Sequence, residues 1–143
     1  MIMKKLGLII LLISATFTSC SSDDDAAAPP AVPTNETLIA GTWELTARKE
    51  LGVDRTLDNC ELTSTIQFNA DKTYTEKTFV NISNECASDG EFVGTWAISG
   101  ETITLIYNDF GTPASDTPKF SISSTNDVLV LTFDELEDTY KKK

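Results

Sequence analysis

The sequence predicts an all-β domain: an eight-stranded antiparallel up-and-down barrel or meander with at most one short helical turn at its start. Three observations carry this. After Glu36 the chain is dominated by Thr, Val, Ile, Phe, Tyr and Trp, the types that fit a pleated, half-buried surface. Turn signals recur about every ten residues, the spacing of short strands in a sandwich or barrel. Inside the segments so marked off, apolar and polar residues alternate with period two, which gives each segment one buried face and one wet face.

Taken in order, Thr34 offers a polar cap for a single turn through Leu38 and Ile39, and Gly41 ends it. Strands are expected at 42–48, 64–69, 73–79, 92–99, 102–107, 119–124, 128–134 and 139–142. Short polar turns at 69–72, 99–101, 124–127 and 134–138 should make sequence neighbours into sheet neighbours. The alternation sends Trp43, Leu45, Ile66, Phe68, Phe92, Trp96, Ile98, Ile103, Leu105, Tyr107, Phe120, Ile122, Leu129, Leu131 and Phe133 inward. Segment 73–79 has mixed faces, so its register is open. Ile106, Val128 and Val130 fall on the outer face, where a loop, the Leu38-Ile39 turn or a partner is expected to cover them. Closing eight strands into a barrel removes exposed edges, with a two-sheet sandwich as the alternative.

A length of 143 residues suits one small domain. The chain has 22 acidic and 11 basic residues, a net charge of −11, and no basic cluster outside its two ends. Phosphate backbones therefore find no footprint on it, and no nucleic-acid partner is expected. It has no histidine, which removes the commonest general base and metal ligand together. No serine or cysteine stands at a recognisable spacing from a base, so no enzyme is expected. Asp134, Glu135, Glu137 and Asp138 lack the spacing and the glycine of a calcium loop and read as a solvated turn beside Lys141, Lys142 and Lys143. Neither metal nor cofactor is expected.

The N-terminus reads as an address. Lys4 and Lys5 precede a 12-residue apolar run, 6–17, broken only by Gly7, Ser14 and Thr16. At about 1.5 Å per residue the run spans roughly 18 Å, short of the ~30 Å a membrane-spanning helix must cross. A basic start, a short apolar stretch and small polar residues make residues 1–19 a secretory signal peptide. The junction Phe17-Thr18-Ser19-Cys20 resembles the lipobox of bacterial lipoproteins, looser than the enterobacterial form because Phe17 stands where Leu is usual. That resemblance implies cleavage before Cys20 and acylation of its thiol, which would anchor the protein to a membrane. Residues 20–36 then form a polar, acidic, proline-rich tether that cannot offset its ordering entropy. Ser21-Ser22-Asp23-Asp24-Asp25 resembles the export signal of Bacteroidetes surface lipoproteins, implying the outer membrane and its exposed face.

Export places the chain in an oxidising compartment, and once Cys20 is assigned to lipid, Cys60 and Cys86 remain as an even pair. They are expected to form a disulfide across one hairpin. Residues 37–143 resemble the lipocalin-like domains of Bacteroidetes-type lipoproteins. The resemblance is carried by Leu38-Ile39-Ala40-Gly41-Thr42-Trp43-Glu44-Leu45, by the hairpin 65–74, by Gly94-Thr95-Trp96-Ala97-Ile98 and by Leu129-Val130-Leu131-Thr132. It implies that Trp43 plugs one barrel end beneath an arginine of the last strand. The family has arginine at that place, whereas this chain has Lys141, Lys142 and Lys143.

Two functions follow as expectations. The first is a monomeric, non-catalytic interaction or accessory module, contacting a surface protein or glycan through the loops 52–62 and 108–118. The second is carriage of a small apolar or amphipathic ligand in the barrel mouth, with Phe68, Trp96, Tyr107 and Phe120 as candidate lining. The same aromatics can equally fill the interior, because a small eight-stranded barrel is closed by its own side chains. A rim cavity of about 300 Å³ or more would favour carriage, and a packed interior the loops.

Overall fold

The computed structural model describes residues Val32–Lys143, and the expected signal segment 1–19, Cys20 and the acidic stretch after it lie outside the described residues. The described chain opens with α1 (Asn35–Ile39), capped by the Thr34 hydroxyl on the Thr37 amide. Ten strands follow: β1 (Gly41–Glu50), β2 (Val53–Arg55), β3 (Thr65–Phe68), β4 (Thr73–Ile82), β5 (Glu85–Ser99), β6 (Thr102–Asp109), β7 (Thr112–Asp116), β8 (Lys119–Ile122), β9 (Val128–Thr132) and β10 (Leu136–Lys142).

Every pairing is antiparallel. The order β10-β9-β8-β6-β5-β4-β3-β1 closes on itself through β10 and β1, so eight strands form a barrel and the sandwich alternative falls away. The two remaining strands are extensions of their neighbours, β2 on β1 and β7 on β6. β7 corrects the expected irregular loop 108–118: Thr112-Pro113-Ala114-Ser115-Asp116 has no large apolar residue to signal a strand, yet its backbone pairs along Leu105–Asp109. A proline in such an outlying strand is tolerated because its missing N–H is not needed by an inner ladder. The hairpin of β4 and β5 is also longer than expected, running out to the two-residue turn Ser83-Asn84.

Pairing across strands places Tyr74 opposite Phe68 and Glu76 opposite Ile66, so both point inward with their buried neighbours. An inward carboxylate is why the alternation of segment 73–79 looked mixed. The core comprises Ile39, Trp43, Leu45, Ile66, Phe68, Tyr74, Trp96, Ile103, Leu105, Leu129, Leu131 and Tyr140, with Leu57, Ile98, Tyr107, Phe120, Ile122 and Phe133 packed at its margin. Ile39 is fully buried beneath the barrel end, so the Leu38-Ile39 turn plugs the interior and does not roof the outer face. Val128 and Val130 are half-buried, while Ile106 stays exposed.

The end bearing α1 is sealed. The Trp43 indole N–H donates to the Ile39 carbonyl at 2.7 Å, the Lys142 ammonium lies 5.0 Å from the Trp43 ring centre, and the same ammonium donates to the Leu38 carbonyl at 2.8 Å. Lys142 thus takes the place over the tryptophan that the family resemblance gives to arginine. Gly41, at φ 130°, leaves room for it: a Cβ there would sit 3.1 Å from the Lys142 Cε. Trp96, on β5, repeats the arrangement three strands round the barrel from Trp43 on β1. Its N–H donates to the Asn69 carbonyl at 3.1 Å and the Lys72 ammonium lies 4.3 Å from its ring, itself paired at 2.6 Å with Glu36 of α1. The glycine before it serves another purpose, because a Cβ on Gly94 would collide with the Ile106 carbonyl across the sheet.

Candidate functional site

At the end away from α1 the interior turns polar. A register shift between Leu45 and Ala47 brings Arg48 opposite Asp138, and the two make paired hydrogen bonds of 2.6 Å each. Asp138 is 2% exposed, which overturns its reading as part of a solvated turn: the turn is shorter than expected, and β10 already begins at Leu136. The carboxylate holds the Arg48 guanidinium above its ordinary pKa through that hydrogen bond. Tyr140 is buried beside them, so its hydroxyl stays protonated well above the usual range and reaches Asp138 at 3.4 Å.

Glu76 faces this group. Burial raises its carboxyl to about 7, the charges of Asp138 and Asp116 add to the rise, and Arg48 opposes it. Asp116, opposite Leu105, accepts the Tyr107 hydroxyl at 2.8 Å, and that bond with burial pushes the phenol up to about 12. Among the described residues no three acidic or cysteine side chains are placed to hold a metal ion.

Four turns rim this end: Leu51-Gly52, Ser83-Asn84, Phe110-Gly111 and the β9–β10 turn. Between the β9–β10 turn and residues 116–119 lies an open cleft of about 930 Å³, with Phe133, Leu136 and Pro118 set among Asp116, Lys119, Asp134 and Glu135. A smaller cleft of about 210 Å³ runs along the other side of the same turn to Leu51 and Gly52, where the Leu51 amide donates to the Glu135 carbonyl at 2.7 Å.

The rim is braced from below. Asp58 accepts the Cys60 and Glu61 amides at 2.8 and 2.9 Å and begins the 3-10 turn Glu61–Thr63, while Arg55 pairs with Glu61 at 2.7 Å. This sets Cys60 with its Cα 5.2 Å from that of Cys86 on the β4–β5 arm, and the two are joined in a disulfide. The expected loop 52–62 is therefore largely structured, by β2, the 3-10 turn and the bridge.

The four aromatics nominated from sequence are not gathered in one pocket. Phe68 and Trp96 are buried in the core with ring centres 5.4 Å apart. Tyr107 packs edge-on to Phe92 and is bonded to Asp116. Phe120 borders a third hollow of about 200 Å³ at the α1 end, with Leu38 and Ile122. The lining of the large cleft, Phe133 and Leu136 above all, carried a weak signal in the sequence: two apolar residues flanking an acidic turn.

Comparison with known proteins agrees with this architecture. A solved lipocalin-like protein from Bacteroides uniformis ATCC 8492 superposes with a TM-score of 0.55 at 19% identity, over 74% of this chain and 99% of that one. An uncharacterized protein from Bacteroides eggerthii DSM 20697 superposes with a TM-score of 0.53 at 12% identity, over 73% and 99%. No curated protein sequence matches the chain. The sequence model of the lipocalin-like domain matches residues 39–137, which runs from the Ile39 plug to the closing strand, and the chain belongs to that family.

Proposed function

We propose that the protein is a lipid-anchored, non-catalytic module that presents the end of its barrel away from α1 to a partner outside the cytoplasm. One observation carries the reading: the α1 end is plugged by Ile39, Trp43 and Lys142, whereas the two larger clefts, several acids without an ion pair and the exposed apolar tips gather at the other end. The disulfide is in keeping with an oxidising compartment. The absence of histidine and the structural pairing of Asp138 and Asp116 support a role without chemistry.

Anchoring through Cys20 to the outer membrane is tested by Cys20→Ala, expressed in the native envelope. The variant should leave the membrane pellet for the soluble fraction, and protease applied to intact cells should digest the wild type. A Cys20→Ala protein that still pellets, or a wild type that resists protease, sinks the corresponding half of the proposal.

A second reading, carriage of a small amphipathic ligand, is favoured by the 930 Å³ cleft, which offers Phe133 and Leu136 to an apolar body and Asp134 and Glu135 to a polar head. Native mass spectrometry of protein taken from its own host separates the two. A co-purifying small molecule lost on Phe133→Asp supports carriage, and a bare mass leaves the docking reading alone.

A further inference from the structure

We infer that the hairpin tips of the end away from α1 anchor the domain on a protein surface whose apolar pockets are framed by lysine and arginine side chains. The inference rests on the docking reading above and names its occupant.

Leu51 and Phe110 each take the first central position of a two-residue turn, at φ 52° and 46°, with Gly52 and Gly111 following at 79° and 85°. Such turns favour asparagine, aspartate or glycine at the first position, because a larger side chain crowds its own backbone there. The third turn obeys the rule with Ser83-Asn84, whose Asn84 amide is further held by the Asn81 side chain at 2.9 Å.

Neither large residue gains packing in return. Leu51 is 74% exposed and Phe110 fully so, while Val53 and Ile82, beside the tips of two hairpins, are more than half exposed. Residues that strain the backbone and bury nothing within their own chain are the pattern of contacts made outside it.

Charge selects the occupant. Of the basic residues at this end, Arg48 is committed to Asp138, Lys49 to Glu137 and Arg55 to Glu50 and Glu61, while Lys119 in the large cleft has no ion pair among the described residues. Asp54, Glu85, Asp89, Asp109, Asp134 and Glu135 have no ion pair among the described residues. An acidic rim repels an anionic lipid surface and a second acidic copy of itself, and complements a basic protein face. α1, near the start of the described residues, lies at the opposite end of the barrel.

The test uses the full chain in its producing cells, with a photoreactive benzoyl-phenylalanine in place of Asn84 at a tip or of Thr125 at the sealed end. A discrete protein adduct should form from position 84 and not from 125, and its cross-linked peptide should lie among Lys and Arg residues. Adding Phe110→Asn and Leu51→Asn should cut the yield about tenfold, the loss expected of a central apolar anchor. The melting temperature of that variant should not fall, because asparagine suits both turns; this separates lost docking from unfolding. A protein adduct indifferent to these substitutions overturns the apolar anchor but leaves the docking reading intact. Adducts to lipid or to a second copy overturn the choice of occupant. Absence of any adduct from position 84 overturns both the inference and the docking reading beneath it.

Discussion

The two ends of this barrel are built from the same strands and resolve opposite demands. At the α1 end each large aromatic has a place for every atom: Trp43 and Trp96 give their N–H groups to backbone carbonyls and their faces to Lys142 and Lys72. At the far end the side chains are charged, the turns are long-armed, and apolar groups stand in water. The contrast teaches that stability and recognition have been assigned to different ends. The sealed half supplies the burial that holds the sheet closed, and the far half can then carry strain and unpaired charge without unfolding the domain.

Substitutions at the two ends should therefore differ in kind. The largest effect is expected from Trp43→Ala, which deletes the plug and leaves the Ile39 carbonyl without its donor; about 3–5 kcal/mol should be lost in denaturant unfolding. A loss below about 1 kcal/mol would show that the plug does not hold the barrel closed.

Next is the Cys60–Cys86 bridge. Reducing it should remove about 3.5 kcal/mol on the chain-entropy argument for a loop of this length. Hydrogen exchange should then quicken first in the outer part of β4 and β5, with β1 and β9 still protected. Uniform loosening would mean that the ends are not independent.

Glu76 gives a smaller, pH-dependent effect. Its carboxyl binds a proton more tightly when folded, near 7, than in an unfolded chain near 4.5, so its contribution to stability falls as pH rises between those values. The side chain keeps some contact with solvent, which limits the fall to about 1–3 kcal/mol. Glu76→Gln should flatten the difference between pH 5 and pH 8 in urea unfolding, and an unchanged slope would remove Glu76 as its source. Asp71 and Asp127, whose carboxyls are lowered by hydrogen bonds from Thr73 and from Thr125 and Ser123, act only at more acidic pH. The smallest change is the gain of roughly 0.5 kcal/mol expected from Phe110→Asn alone, read as a rise in melting temperature.

The sealed end was far more legible than the other. Period-two alternation found Trp43, Ile66, Phe68, Trp96, Leu129 and Leu131 because each sits on a strand with one greasy face and one wet face. It missed Tyr74 and Tyr140, whose neighbours Glu76 and Asp138 also point inward and so erase the pattern. Arg48 and Asp138 are 90 positions apart and meet only because β10 closes onto β1 past a register shift, a pairing that no local window contains. β7 escaped for a related reason: its support comes from the β6 backbone, and backbone pairing leaves no mark on side-chain type. The cleft belongs to chain segments brought together by that closure, so its lining could not be read from the aromatics alone.

The meeting of Trp43 with Lys142 also sets a timetable. A cylinder whose first staves touch its last cannot be assembled by degrees as the polypeptide emerges. Contacts this remote in sequence slow folding, and the chain must stay open until its final residues are free to join. A bulky fusion placed directly after Lys143 would press on the very seam that has to close.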